Sequence, residues 1–134
     1  LEAWSIDYAA GKAPSQPFGA DPIGLLQYAA DGWMSASMSM RGRTALTSGS
    51  ARQADDSTRA RAFSEYLAYT AQWWIEGEDV VHRVHTSMNP VLLGTDQRRH
   101  ARLEGSTLLL LADEGSENRR RTHTIRWRRL SSAG

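Results

Sequence analysis

Cysteine is missing from this 134-residue chain. Its absence excludes disulfides, thiolate metal sites and a cysteine nucleophile. An excess of one charge is missing too, since sixteen Lys and Arg residues stand against fifteen Asp and Glu. No bulk field therefore draws the chain to nucleic acid or to an anionic membrane. No window comes near the roughly 18 apolar residues that a bilayer-crossing helix needs. The opening LEAWSIDYAA carries Glu2 and Asp7 and does not read as a signal peptide. Lysine is nearly absent, with Lys12 alone among the sixteen cations, which points to a GC-rich genome rather than to a function. The expectation is one cytoplasmic domain over residues 1–134, long enough to bury a core.

Signatures of common chemistries are also lacking. There is no Gly-x-Ser-x-Gly elbow for acyl transfer and no Gly-rich phosphate cradle. The carboxylate pairs Asp55-Asp56 and Glu76 with Asp79 fall in turns and do not suit glycosidase work. His82 and His85, three apart on a strand, point to opposite faces. His100 and His123 could meet across strands, but no carboxylate joins them at ligand spacing, so no metal and no cofactor is expected. Arg98-Arg99 and Arg119–Arg121 read as solvated surface rather than a nucleic-acid site.

What the chain does have is period-two alternation. Residues 1–10 read as a strand that starts at the first residue, so an upstream start is expected. Ile23–Tyr28 and Trp33–Met40 flank Asp31-Gly32, a tight-hairpin signal. In the second of these strands Met34, Ala36, Met38 and Met40 share one face. Asp55, Asp56 and Ser57 offer N-caps ahead of a helix over Thr58–Tyr69, read as packing over a sheet or barrel mouth, with Tyr66 or Tyr69 as candidates to face a cavity. Strands follow at 70–76, 80–88, 96–104, 107–112 and 122–130. On the strand at 80–88, Val80, His82, Val84, Thr86 and Met88 share a face. The fold class is therefore all-β: eight antiparallel strands in up-and-down order, closed as a barrel, with one short helix between the third and fourth strands. Eight strands enclose about enough room for one small ligand.

These residues resemble the lipocalin-like domain family of small calycin-type barrels. The resemblance runs through Phe18-Gly19, Asp21-Pro22-x-Gly24, Leu26-x-Tyr28-x-x-Asp31-Gly32-x-Met34-Ser35-Ala36, and then Tyr69 and Gly77-x-Asp79-x-Val81-His82. It continues at Pro90, Gly94-Thr95, Arg99, Gly105-x-x-Leu108-x-Leu110 and Trp127-Arg128-Arg129. Such barrels usually open with a Gly-x-Trp strand; none precedes Leu1, and Trp4 is placed to take part of that role. The resemblance implies a ligand-sized lumen, with relatives that include carriers, cyclases and isomerases.

Projecting the matching parity inward gives the candidate site. Tyr28, His82, Arg99 and His123 are the catalytic candidates, and Met34, Met38, Tyr69, Trp73, Val84, Leu108 and Trp127 the substrate-binding ones. Several polar groups on one apolar inner surface favour a working pocket over inert packing. The expected activity is a cofactor-independent cyclisation or isomerisation, pericyclic among the options, on a small hydrophobic polyketide- or terpenoid-like molecule of secondary metabolism. Here His82 or His123 is an acid or base near neutral pH. The alternatives are a carrier of such a molecule, and an interaction module using Trp74 and the helix. A homodimer is left open.

Overall fold

The computed structural model describes residues 1–46 and 49–131. Eight strands form one sheet: β1 Ala3–Tyr8, β2 Ile23–Tyr28, β3 Trp33–Ser39, β4 Tyr66–Glu76, β5 Asp79–Ser87, β6 Asp96–Glu104, β7 Thr107–Glu114 and β8 Arg121–Arg128. Among the described residues one α-helix, α1 at Asp56–Ser64, lies between β3 and β4. The spatial order is β1-β8-β7-β6-β5-β4-β3-β2, antiparallel throughout. The sheet curls into the expected up-and-down barrel. Among the described residues no ladder joins β1 to β2, so the hydrogen-bonded wall has one seam.

Sequence chemistry explains the hairpins. At the β2–β3 turn the Asp31 carboxylate accepts from the Trp33 N–H at 3.1 Å, and Gly32 takes a φ of 91° that a side chain would resist. Gly24 is needed for a different reason: an added Cβ would fall 2.3 Å from the Ser37 carbonyl oxygen on β3. Up-and-down order sorts the connections. The short β2–β3, β4–β5 and β6–β7 turns share one end of the barrel, and the longer links, α1 among them, share the other.

Inward parity matches expectation along most strands. Met34, Ala36 and Met38 of β3 are buried, as are Ala71, Val80, Val84, Leu110 and Trp127. Each large apolar side chain so enclosed contributes about 1.5–3 kcal/mol. From the β1–β2 loop Phe18 turns inward and meets the Trp4 ring edge-on at 5.0 Å.

Two expectations need correction. The helix ends at Ser64 rather than at Tyr69, and Tyr66, Leu67 and Tyr69 begin β4. Their 3-residue spacing suits a helix, but Leu67, Tyr69, Ala71 and Trp73 also alternate. Pairing with Met38, Ala36 and Met34 of β3 decides in favour of the strand. The shortened α1 buries no residue, so it does not pack over a sheet or mouth. Second, Thr86 and Met88 leave the inward face of β5. The β4–β5 register steps from Thr70↔Thr86 to Ala71↔Val84, leaving His85 unopposed as a bulge and reversing parity beyond it. Thr86 consequently bonds Thr70 on the exposed outside.

Candidate ligand cavity and the Tyr28–His82–Tyr69 network

The barrel holds a cavity of about 870 Å³. Leu26, Tyr28, Trp73, Val80, Leu108, Leu110 and Trp127 form its inner wall. Gly77 and Glu78, Ser106 and Arg128–Leu130 form its rim at the short-turn end, and Leu1, Leu25 and Gln27 border it along the β1–β2 seam, so it opens at the short-turn end and beside that seam. The Asp31-Gly32 turn belongs to this same end. An apolar wall with very few polar groups is the usual make-up of a site for a small organic molecule.

The most ordered polar feature sits at this wall. His82 is 1 % exposed, and both of its ring nitrogens are occupied. The Tyr28 hydroxyl lies 2.7 Å from Nε2 and the Tyr69 hydroxyl 2.7 Å from Nδ1. Strand geometry makes this possible. Tyr28 ends β2, Tyr69 stands near the start of β4, and His82 is central in β5, all three with inward parity. Burial, and then the positive charge of Arg99, pushes His82 down to about 4. The imidazole is therefore neutral at neutral pH, which removes His82 as a proton-donating acid there. Burial raises the pKa of both tyrosines, and the Arg99 charge partly opposes that rise.

Arg99 faces inward on β6 opposite Val80. It donates to the Gln97 side chain at 3.2 Å and to the Arg98 carbonyl at 3.0 Å. Among the described residues it has no carboxylate partner. Gln97 in turn donates to Thr95 at 2.8 Å. The result is a cation held by neutral groups behind the tyrosines.

Other candidates are placed differently. Trp73, Leu108 and Trp127 line the cavity with Tyr28. Met34 packs with Ala36 and Ala71 under Tyr28 and Tyr69, while Met38 and Val84 are buried filler in the wall. His123 stands apart, with Nδ1 accepting from the Trp4 indole N–H at 3.1 Å and Nε2 lying 3.2 Å from Glu114 without alignment for a hydrogen bond. It does not meet His100, which lies outside the barrel beside Asp79 at 3.4 Å. Tyr66 stacks under Arg43 rather than facing the cavity. Arg98 pairs with Glu76, and Arg120 and Arg121 pair with Asp113 and Glu114 on the surface.

Sequence reasoning passed over Val80, Leu26 and Ala101 as lining residues. The parity rule was available for all three, since Val80 shares parity with His82, Leu26 with Tyr28 and Ala101 with Arg99. Among the described residues the indole N–H of Trp127 has no partner, although Trp127 is only 6 % exposed and lines the cavity. Among the described residues no three His, Asp or Glu side chains gather as a metal site. No described helix is long and apolar enough to cross a membrane.

An eight-stranded antiparallel meander curled around an apolar cavity narrows the choice of families, and comparison completes it: residues 1–130 match the lipocalin-like domain. The chain belongs to the lipocalin-like domain family. No curated protein and no solved structure matches it. For a lipocalin-like barrel the fold suggests a small, mainly hydrophobic ligand in the lumen, and the 870 Å³ cavity is of the right size and lining for one.

Proposed function

We propose that this lipocalin-like chain binds a small hydrophobic molecule of polyketide or terpenoid type and cyclises or isomerises it without a cofactor. One observation carries the reading: a buried, neutral imidazole bonded on both sides by tyrosines, one of which forms part of the cavity wall. The apolar wall would fold the substrate into a reactive shape. Tyr28 would donate to a carbonyl oxygen and stabilise negative charge as it develops there. Arg99 helps from behind, because its charge opposes the burial-driven rise of the Tyr28 pKa and so strengthens the hydroxyl as a donor. At the inner wall the polar groups are Tyr28 and the donor-only indoles of Trp73 and Trp127, and His82 sits behind Tyr28. Steps that need only a polarised carbonyl, such as pericyclic ring closure, fit this arrangement better than steps that need a base on carbon.

A second reading, a carrier that leaves its ligand unchanged, is favoured by the saturation of His82: a histidine with both nitrogens bonded is also a satisfied core residue. One experiment separates the two. The protein is incubated with intermediates made by enzymes encoded beside it, and products are followed by mass spectrometry and NMR. Appearance of an isomer of unchanged mass, faster with protein than without, supports catalysis. Ligand binding without product supports the carrier.

A further inference from the structure

We propose that Tyr69 is a positioning residue that fixes the proton of His82 on Nε2, so that the Tyr28 hydroxyl hydrogen is turned to the cavity and the barrel selects ligands by an accepting oxygen. The inference rests on the proposed binding of a small molecule beside Tyr28, and it holds for a carrier as well as for an enzyme.

The argument is a count of hydrogens. A neutral imidazole has one N–H and one lone pair, and each tyrosine has one O–H. Three hydrogens therefore serve the two 2.7 Å bonds, and one hydroxyl hydrogen is left over. It belongs to whichever tyrosine accepts from the ring. If Nδ1 carried the proton, the spare hydrogen would be that of Tyr69. The Tyr69 hydroxyl is strongly desolvated, has no other partner among the described residues, and lies close enough to Arg99 to feel its positive charge. A spare donor there would go unmet, which burial penalises. If Nε2 carries the proton, Tyr69 donates to Nδ1, the ring donates to Tyr28, and the spare hydrogen is that of Tyr28. Tyr28 lines the cavity, where a ligand oxygen can take it. The second arrangement satisfies every group once a ligand is present.

A separate observation agrees. Trp127, also in the wall, has a buried indole N–H without a partner among the described residues, and indole can only donate. The Trp73 indole is already spent on the Ala29 carbonyl at 2.9 Å. The free capacity of the inner wall is therefore donor capacity. Ketones, quinones and lactones match it; ligands whose polar group only donates do not.

The tautomer is tested first, on the unliganded protein. In ¹⁵N-labelled protein the His82 ring signals are assigned by their loss in His82→Gln. Two-bond couplings to the ring carbons' hydrogens then report which nitrogen is protonated. A proton on Nε2 is expected; a proton on Nδ1, or an even mixture, overturns the proposal. Selection is tested with a matched pair of probes, 2-acetylnaphthalene and 2-ethylnaphthalene, by fluorescence titration. The ketone should bind about fivefold tighter, the worth of one ordinary hydrogen bond. Tyr69→Phe should disturb the tautomer and bring the ratio of the two affinities down toward one. No ketone preference in the native protein, or a preference that survives Tyr69→Phe in full, overturns the selection. None of these readouts needs turnover, so a failure here is separable from a failure of the catalytic reading.

Discussion

Tyr28 and His82 are 54 positions apart in the chain, yet the tyrosine hydroxyl lies 2.7 Å from the imidazole Nε2. The contact crosses two intervening strands of one sheet, since β2 and β5 are separated by β3 and β4. Only the curl of the barrel brings them together. The same contact joins the hidden polar network to the cavity, because Tyr28 is its one member on the cavity wall.

Tyr28→Phe keeps the ring and removes the hydroxyl. His82 Nε2 then loses its partner while buried, so the fold should weaken by about 1–3 kcal/mol in urea unfolding. On a turned-over substrate the loss should be much larger, about a hundredfold in kcat, because a donor aimed at developing charge has gone. Unchanged kcat in a folded variant would remove Tyr28 from the chemistry.

Acid should weaken the fold in a defined window. His82 titrates near its ordinary 6.5 when unfolded and at about 4 when folded. Between those values the unfolded chain holds a proton that the folded one lacks, so stability falls as pH falls from 6.5 toward 4, by about 3 kcal/mol in total. Above 6.5 this group imposes no penalty. The lowered carboxylates, such as Glu2 and Glu65, act below their ordinary 4.5, leaving the upper part of the window to His82. His82→Gln should flatten the stability profile between pH 6.5 and 4.5, as read from denaturant midpoints at each pH. A slope equal to that of the native protein would place the His82 pKa elsewhere.

Blocking the lumen should abolish binding at little cost to folding. Ala101 is half-buried, faces inward on β6 and lines the cavity. In Ala101→Trp the indole fills space that is empty rather than packed, so thermal stability should change by less than about 1.5 kcal/mol. Binding of 2-acetylnaphthalene should fall at least about tenfold, a loss of roughly 1.4 kcal/mol. Undiminished binding would move the ligand site away from this cavity, for instance to the shallower outer groove beside Ser35 and Thr86.

Much of this was legible from alternation alone. Strands β2 and β6 fall at the residues that their patterns indicate, and the inward side of Met34, His82, Arg99 and Trp127 follows from period two once the family resemblance picks the parity. Three features were not legible, each for a physical reason. The helix boundary at Ser64 is set by pairing with β3, a contact of long sequence separation that local spacing at Tyr66 and Tyr69 does not encode. The bulge at His85 is a step in register between two strands, and neither strand's own sequence marks it. The joining of Tyr28 and Tyr69 to one imidazole depends on barrel curvature; parity places all three inside but does not say which pairs touch. Parity also grouped His123 with these residues, whereas Trp4 and Glu114 hold it in a separate cluster.

The last prediction concerns α1, whose exposed position argues against any role as a lid. The helix is anchored by its N-cap, where the Asp55 carboxylate accepts from the Thr58 N–H at 2.7 Å. Phe63, its one large apolar side chain, is 49 % exposed. The helix also belongs to the long-loop end, whereas the cavity rim is formed by the short turns and the border of the β1–β2 seam. Phe63→Ala should therefore change stability by no more than about 0.5 kcal/mol, as at other exposed sites. Asp55→Ala, which removes the cap, should lower the unfolding midpoint. Neither should alter the affinity for 2-acetylnaphthalene. Calorimetric or urea unfolding with the fluorescence titration checks all three. If Phe63→Ala weakened the probe severalfold, the helix would have to close over the ligand, and entry at the short-turn end or the seam would be wrong.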